Sequence, residues 1–147
     1  MTATGSDIIA CPHCGKRNRV PEAATGTPRC GNCHEPLPWI TDANDDSFAE
    51  IVEAAPLPVL VDMWAAWCGP CRVVSPALEQ VARDLAGSIK LVKVDVDASP
   101  KTAARFGIQA IPNLLVISDG EVKAQRAGAA SAASIRQWVT DAISLVS

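Results

Sequence analysis

The sequence predicts an α/β domain, a central mixed sheet with helices on both faces, preceded by a small cysteine-rich module. From residue 37 onward, short apolar runs alternate with amphipathic helical patterns in the order β-α-β-α-β-α-β-β-α, which indicates parallel βαβ units followed by a hairpin. Residues 1–36 show no apolar periodicity, yet they carry four of the six cysteines and both histidines. A segment this short cannot bury enough apolar surface alone, so it needs a stabilising cross-link to fold. We therefore divide the chain into residues 1–36 and 37–147.

The first half of the larger domain contains two strand patterns and two helix patterns. A short strand near residues 39–40 precedes a helix over residues 47–54. "PLPVLVDMW" (56–64) has the composition of a buried strand with proline at its start. A longer helix is predicted over residues 68–85, because one face carries apolar residues at steps of four, three and four: Val74, Leu78, Val81 and Leu85. Pro76 is expected to kink this helix.

The next two elements are a strand over residues 88–97, which is rich in β-branched residues, and a short helix. Ser99 and Pro100 are suitable residues for the N-cap and the first position of that helix. It is expected to run through Arg105 and to stop at Gly107.

The last part of the chain predicts a hairpin and a final helix. Asp119-Gly120 is a two-residue turn signal between the strand patterns at 113–118 and 121–127. Ser131 is expected to cap the helix that follows. Its apolar stripe consists of Ile135, Trp138, Val139, Ala142, Ile143 and Val146.

Charge and hydropathy narrow the class of protein. A net charge of −3 argues against a polybasic nucleic-acid surface. The best apolar run, residues 58–66, is short and contains Asp62, so no membrane-spanning segment is predicted. The N-terminal segment lacks the basic and apolar regions of a signal peptide, so we expect the reducing cytoplasm. Paired cysteines there usually serve metal binding or catalysis.

The four N-terminal cysteines have the spacing of a two-knuckle zinc site, Cys11-x2-Cys14-x15-Cys30-x2-Cys33. Each pair can form a tight turn that directs two thiolates at one ion. Gly15 after the first pair and Gly31 within the second are expected to help these turns. A tetrahedral all-sulfur set suits one structural Zn²⁺, which would stabilise the segment as a zinc ribbon.

Three alternatives compete with zinc binding by all four cysteines of this module. The cysteines could form two disulfides, which a reducing compartment disfavours. His13 or His34 could replace one cysteine, although four cysteines already complete a ligand set. The module could bind nucleic acid, but the basic cluster at residues 16–19 is small, and binding through it would be weak and screened by salt. We expect a protein-docking or redox-responsive role, in which strong oxidants convert the thiolates to disulfides and eject zinc.

Cys68 and Cys71 are expected to perform a different chemistry. They lie where a strand passes into a helix, and the helix N-terminus stabilises a thiolate, which is the reactive nucleophile. Gly69 permits the tight geometry, and Pro70 fits helical φ without a donor N–H. A third zinc-binding pair is the alternative, together with a buried thiol pair. A zinc-binding pair would lack further ligands, because residues 37–147 contain no other cysteine and no histidine. A C-x-x-C beside a βαβ pattern indicates a redox site.

These segments resemble the thioredoxin family. "VDMWAAWCGPCR", "AIPNLL" and "GAAS" occur in that family's order and spacing, and the resemblance covers about residues 38–147. Ahead of them, "CPHCGKRNRVP" and "PRCGNCHEPL" are similar to the zinc-bearing thioredoxin 2 subfamily. The resemblance implies the thioredoxin fold and a monomeric reductase of disulfide-containing client proteins. It further implies recycling by an NADPH-dependent thioredoxin reductase, no bound organic cofactor, and no nucleic-acid or membrane partner.

The resemblance also assigns roles to single residues. Cys68 is expected to be the exposed attacking thiol and Cys71 the buried resolving thiol. Asp62 matches the family's buried acid, whose raised pKa suits proton exchange with Cys71 through water. An incidental strand carboxylate is the alternative, which the apolar flanks oppose. Lys93 matches the family's lysine near that acid, and the alternative is a solvated strand residue.

A docking surface for substrate is implied around Cys68. Pro112 matches a proline preceded by a cis peptide bond, which places the Ile111 backbone beside the disulfide for pairing with an extended segment. The surface comprises Trp67, Gly69, Pro70, Ile111, Pro112 and Gly128. Trp64 is assigned to the core or to a subsite wall. Met63 and Asn113 depart from the family's more frequent Phe and Thr. We expect Met63 to fill the core and Asn113 to alter substrate hydrogen bonding.

The main hypothesis is therefore a disulfide-reducing enzyme with a zinc ribbon. A zinc-ribbon adaptor, in which the thioredoxin fold only recognises clients, is opposed by the intact "WCGPC" together with Asp62 and Pro112. An oxidase or isomerase would be expected to have a signal peptide and different residues at positions 69 and 70.

Overall fold

A computed structural model describes residues 6–144, which form two sheets. The smaller sheet pairs β1 (Ser6–Ala10) antiparallel with β2 (Arg17–Pro21). The larger sheet has five strands: β3 (Ile40–Ala43), β4 (Val59–Trp64), β5 (Lys90–Asp95), β6 (Asn113–Ser118) and β7 (Glu121–Ala127). Its order is β3-β5-β4-β6-β7. The parallel pairs β3–β5 and β4–β5 join antiparallel β6 and β7, so the predicted mixed sheet is confirmed.

Three helices accompany the larger sheet: α1 (Gly69–Asp84), α2 (Pro100–Arg105) and α3 (Ala132–Ser144). The helix expected over residues 47–54 is instead a π-helical turn over Ala49–Glu53. An apolar pattern this short does not distinguish the two backbone geometries. Within residues 6–144, no helix has the length and apolar character needed to cross a bilayer.

The core lies on both faces of the larger sheet. On one face, α1 and α3 cover inward residues of the strands, including Leu60, Leu91 and Leu114. On the other face, the π-helical turn and the segment after α2 cover Val61, Val92 and Leu115. Adjacent residues of each strand therefore point into opposite cores, which explains why the central strands carry apolar residues on both faces. The prediction of helices on both faces is confirmed.

The two long helices and the hairpin follow their sequence signals closely. In α1, Val74, Leu78 and Val81 are buried and Leu85 is partly buried. Helix α3 is capped as predicted, since the Ser131 hydroxyl accepts a hydrogen bond from the Ser134 N–H (3.1 Å). Its stripe is buried at Ile135, Val139 and Ala142 and partly buried at Trp138 and Ile143, while Val146 lies outside the described residues. Asp119 and Gly120 adopt φ values of 53° and 77°, as a two-residue hairpin turn requires.

The cap of α2 differs from the prediction. Ser99 is at the N-cap position, but its hydroxyl is buried and has no hydrogen-bond partner among the residues described. Asp45 takes the capping role instead. Its carboxylate accepts hydrogen bonds from the backbone N–H groups of Lys101 (3.1 Å) and Thr102 (2.8 Å) and from the Thr102 hydroxyl (2.7 Å). Asp45 is more than fifty residues away in sequence, so local pattern could not reveal it.

The N-terminal module packs directly on the larger domain. One small apolar cluster contains Leu37 and Trp39 from the larger domain and Cys11, Val20 and Cys30 from the module. The Trp39 indole N–H donates to the carbonyl of Pro21 (2.7 Å). Gly87 has φ +87°, and a Cβ there would lie 2.8 Å from Cβ of Pro36, so only glycine fits this approach. The division after residue 36 remains a prediction, because core residues on both of its sides pack together.

A buried cation lies at this contact between the module and the domain. The Lys90 ammonium donates to the backbone carbonyls of Glu22 and Ile51 and lies 4.2 Å from the centre of the Trp39 ring. Burial lowers the pKa of Lys90 to about 8, an effect that the charges of Glu22 and Glu50 oppose. The side chain is fully buried, and its two carbonyl acceptors come from different parts of the chain. Lys90 therefore joins the module to the domain through hydrogen bonds and a cation–π contact.

Candidate active site and candidate metal centre

A disulfide between Cys68 and Cys71 lies at the N-terminus of α1. Cys68 occupies the N-cap with extended backbone, and its Sγ accepts a hydrogen bond from the Cys71 N–H (3.2 Å). Gly69 and Pro70 form the exposed first positions of the helix, where a proline costs no hydrogen bond. In the reduced protein, the same N–H group and the helix dipole favour a thiolate at Cys68.

The expectation of an exposed Cys68 is wrong for this oxidised form. Cys68 is 4% exposed and Cys71 is 3% exposed. The physical reason is that the two sulfurs are bonded to each other and packed among apolar neighbours, which are Ala65, Trp64, Val96 and Ile111. Only a small part of Cys68 is therefore open to a partner while the disulfide is intact.

The predicted docking residues lie beside the disulfide. Trp67 is 69% exposed, and its indole N–H donates to Oδ2 of Asp97 (2.8 Å), which orients the ring. The peptide bond between Ile111 and Pro112 is cis, as predicted. Ile111 packs against the cysteine pair, and the Gly128 N–H donates to the Pro112 carbonyl (2.8 Å). The structure thus brings these segments, which are distant in sequence, to one place.

Asp62 is buried on β4, behind the disulfide. It is 1% exposed, and its Oδ1 has no hydrogen-bond partner in the part of the chain that the structure describes. A cavity of about 130 Å³ is lined by Asp62, Trp64, Cys71, Arg72, Ser75 and Lys93. Burial raises the pKa of Asp62 to about 7, and the charge of Lys93 opposes that rise. A carboxyl group with this pKa can exchange protons near neutral pH.

Lys93 lies opposite Asp62 in the parallel register of β4 and β5. Its side chain is only 18% exposed, and its Nζ donates to Oε2 of Glu79 (2.7 Å) and to Oγ of Ser75 (3.0 Å). The alternative of a solvated strand residue is therefore wrong. Sequence reasoning missed Ser75 and Glu79, although a signal was present. They follow Cys71 by four and eight residues, which places all three on one face of α1.

The two departures from the family pattern have different outcomes. Met63 is fully buried in the core, as expected. Asn113 is also buried, and its Oδ1 accepts a hydrogen bond from Gln125 on β7 (3.0 Å). Its side-chain oxygen is thus engaged within the sheet. Trp64 is partly buried and lines the cavity beside Asp62, which agrees with its assignment to a wall.

The four N-terminal cysteines form one cluster, in which all Sγ atoms lie within 4.8 Å of one another: Cys11, Cys14, Cys30 and Cys33. The Cys11–Cys33 and Cys14–Cys30 sulfurs are 3.6 Å and 3.5 Å apart. A tetrahedral zinc site with Zn–S bonds of about 2.3 Å separates its sulfurs by about 3.8 Å, so this set fits the ion. All four are free cysteines, and neither His13 nor His34 belongs to the cluster within the described residues.

Each cysteine pair lies on a tight turn. The Gly15 N–H donates to the Cys11 carbonyl and the His34 N–H to the Cys30 carbonyl, both at 2.9 Å. Gly15 has φ +80°, as expected of a turn glycine. In the second turn the left-handed residue is His34, at φ +67°, and the role expected of Gly31 stays a prediction. In both turns the left-handed residue directly follows the second cysteine.

Backbone and side-chain N–H groups surround the sulfurs. Cys30 Sγ accepts from the backbone N–H groups of Cys33 (3.5 Å) and Asn32 (3.4 Å) and from the amide of Asn18 (3.5 Å). These bonds, led by that of Cys33, lower the pKa of Cys30 to about 5. The Asn32 amide also donates to Cys14 (3.4 Å). Sequence reasoning missed both asparagines, which favour thiolates and hence a bound cation.

Reversible formation of the Cys68–Cys71 bond is the chemistry for which this site is equipped. The helix N-terminus favours the attacking thiolate, and Asp62 shares a cavity with the second cysteine. The fold and the site together define a thiol–disulfide oxidoreductase.

Sequence comparisons with known proteins support the same class. The family model described as thioredoxin matches residues 39–141. Thioredoxin C-3 of Corynebacterium nephridii is 37% identical over 136 residues, which cover 90% of this chain and 92% of that protein. Thioredoxin C-2 of the same organism and a thioredoxin of Pseudomonas aeruginosa are 43% and 42% identical over 100 residues, 68% of this chain and 93% of each relative. This chain belongs to the thioredoxin family and is a protein-disulfide oxidoreductase.

The lengths of these matches bear on the N-terminal module. Residues 37–147 are only about three quarters of the chain, so a match that covers 90% of it must extend into residues 1–36. The matches over 100 residues are shorter than the larger domain itself. Thioredoxin C-3 therefore has a counterpart to at least part of the module.

Proposed function

We propose that this protein reduces disulfides of client proteins in the reducing cytoplasm and is itself recycled by an NADPH-dependent thioredoxin reductase. Its N-terminal module holds one structural Zn²⁺, as in the thioredoxin 2 subfamily. The observation that carries the proposal is the cysteine pair at the start of α1, whose second member shares a cavity with the buried carboxyl group of Asp62.

The first step uses the Cys68 thiolate. It attacks one sulfur of a client disulfide, a bond forms between Cys68 and that sulfur, and the other client sulfur leaves as a thiolate. The Cys71 N–H, which lies 3.2 Å from Cys68 Sγ, favours the attacking thiolate. The mixed disulfide is the product of this step.

The second step uses Cys71. Asp62 takes the proton of the Cys71 thiol, and the resulting thiolate attacks Cys68 Sγ. The Cys68–Cys71 bond forms, and the second client sulfur leaves as a thiolate and takes up a proton. Two electrons have then passed from the dithiol to the client disulfide, and the reductase returns two electrons from NADPH.

Client docking would use the apolar surface beside the disulfide. An extended client segment pairs with the backbone at Ile111, which packs against the cysteines. The exposed ring of Trp67, oriented by Asp97, covers the client on another side. Gly69, Pro70 and Gly128 leave the approach open because they carry no bulky side chain. A monomer suffices for each of these steps.

The zinc proposal rests on the donor set. Four sulfurs with tetrahedral spacing and several N–H donors suit Zn²⁺, which when bound supplies a structural cross-link between the two turns. The apolar cluster of the module is small and includes two of the ligands, Cys11 and Cys30, so the ion replaces a larger core.

Coupled electron transfer tests the proposed activity. With NADPH, thioredoxin reductase and disulfide-bonded insulin as client, we expect one NADPH to be consumed for each client disulfide that is reduced. Omitting the protein should stop the reaction. If chemically reduced protein left insulin intact, the proposed activity would be refuted. If it reduced insulin but was not recycled by the reductase, the partner would be wrong and the activity would stand.

Metal and thiols should be measured together to test the zinc site. In reduced protein we expect one zinc per chain and two thiols that alkylate readily, Cys68 and Cys71. Peroxide is expected to form disulfides in the module and to release the zinc. Six equally reactive thiols without metal would contradict the zinc site. Oxidation of Cys68 with zinc fully retained would contradict the redox-responsive role.

A further inference from the structure

We propose that Glu79 is a positioning residue of this reaction, which with Ser75 holds the Lys93 ammonium and sets the pH range over which Asp62 exchanges its proton. The inference rests on the proposed role of Asp62 as the base for Cys71. It adds to the site a second acid, on the surface of α1, that does not touch the reacting sulfurs.

The geometry connects α1 to the buried carboxyl group through one lysine. Cys71, Ser75 and Glu79 follow one another at four-residue intervals along a helix face. Lys93 Nζ donates to Oε2 of Glu79 at 2.7 Å and to Oγ of Ser75 at 3.0 Å. The Ser75 hydroxyl in turn donates to the same Glu79 oxygen (3.5 Å). The ammonium group of Lys93 is thus held by α1 at the edge of the cavity. The backbone of Lys93 lies beside the backbone of Asp62 on the neighbouring strand.

Two carboxyl groups therefore share the influence of one ammonium group. Lys93 favours ionised Asp62 and opposes the effect of burial on the pKa of that group. A carboxylate 2.7 Å from Nζ offsets much of this positive charge, and its own negative charge disfavours a second carboxylate nearby. Both effects of Glu79 act in the same direction, towards a protonated Asp62. The Glu79 side chain is 38% exposed, so solvent weakens these effects without reversing them.

Other groups also lie around Asp62 and Lys93. Helix α1 presents Cys71 and Arg72 to the cavity, and β6 presents the apolar Leu114 as the register partner of Asp62. Beyond Lys93, a neighbouring cleft is lined by three further acids: Glu22, Asp42 on β3, which is the register partner of Lys93, and Asp95 on β5. Glu79 forms its 2.7 Å ion pair with Nζ from the same helix that carries Cys71, so it connects the ammonium group to the reacting cysteines.

The direct test is a titration of the Asp62 carboxyl group by carbon-13 NMR in the oxidised protein. The variant is Glu79→Gln, and the matched control is Glu121→Gln, which removes the acid of another Lys–Glu pair, with Lys123 on β7 (3.4 Å). We expect Glu79→Gln to lower the Asp62 pKa by at least about half a pH unit and the control to leave it unchanged. As a second variant, Lys93→Met should move the same pKa upwards.

The outcomes separate this inference from the proposed function, because the titration needs no activity. An unchanged or raised Asp62 pKa in folded Glu79→Gln protein would overturn the positioning role, even if clients were reduced normally. A lowered pKa together with a matching shift of the pH profile of insulin reduction would support it. A lowered pKa in Glu79→Gln, found when the unmodified protein itself reduces no client, would support the charge arrangement and refute the proposed function.

Discussion

Cys68→Ser is expected to lower the rate of client disulfide reduction by a factor on the order of 10³ or more, because a serine hydroxyl stays protonated and cannot attack sulfur. The helix N-terminus that favours a thiolate does not ionise a hydroxyl at neutral pH. Cys71→Ser should behave differently. It retains the attacking thiol, so the first step proceeds and the mixed disulfide accumulates because nothing resolves it.

These two variants are compared in the insulin assay and by mass spectrometry of trapped complexes. We expect covalent adducts with Cys71→Ser and none with Cys68→Ser. Both substitutions change one atom at the start of α1, so unfolding by denaturant should show that each variant remains folded. Full cellular function of Cys68→Ser would favour the zinc-ribbon adaptor as the cellular role.

Asp62→Asn is expected to stabilise the oxidised protein above neutral pH. It is also expected to slow the reduction of client disulfides by the reduced protein. Burial raises the folded-state pKa of Asp62 from 3.8 to about 7, so the folded protein binds this proton more tightly than the unfolded chain does. Stability therefore falls as the pH rises from about 4 to about 7 and stays reduced above that range. The full difference is about 4 kcal/mol as an upper limit.

The measurement is denaturant unfolding of the oxidised protein at about pH 4 and about pH 8. The free energy of unfolding of Asp62→Asn should exceed that of the unmodified chain at the higher pH, and the two values should be nearly equal at the lower pH. Asp119→Asn, at an exposed turn position, serves as the matched control and should change neither value. Client reduction by Asp62→Asn should slow by about 10²-fold, since an amide accepts no proton from Cys71. Equal stability gains at both pH values would argue against a buried, raised-pKa carboxyl group.

Local signals predicted those parts of the fold whose determinants are close in sequence. The strands 113–118 and 121–127 match the observed bounds because a two-residue turn fixes both of their inner ends. Ser131 caps α3 because its partner is three residues away. Ser99 fails as a cap because the competing acceptor, Asp45, comes from another part of the chain.

The same distinction applies to the sites. Both cysteine sets were identified from spacing, since four ligands or a C-x-x-C pair are visible along the chain. The partners of Lys93 were missed although Ser75 and Glu79 share a face of α1 with Cys71, because their contact with Lys93 forms only when α1 packs on β5. The burial of Cys68 was missed because it depends on Ile111 and Val96, which are distant in sequence. The strands β1 and β2 were missed because they lack the alternating apolar pattern.

The position of Lys90 limits how this enzyme could be shortened in the laboratory. A version trimmed to begin at residue 37, close to the size of the smaller relatives, would strip away the Glu22 carbonyl and the Pro21 carbonyl that holds the Trp39 indole. In this shortened version the Lys90 ammonium would face water on one side and the Trp39 ring on the other. Such a form would therefore lose the hydrogen bonds that the module provides to Lys90 and Trp39, and residue 87 would still have to be glycine because its φ of +87° disfavours other residues.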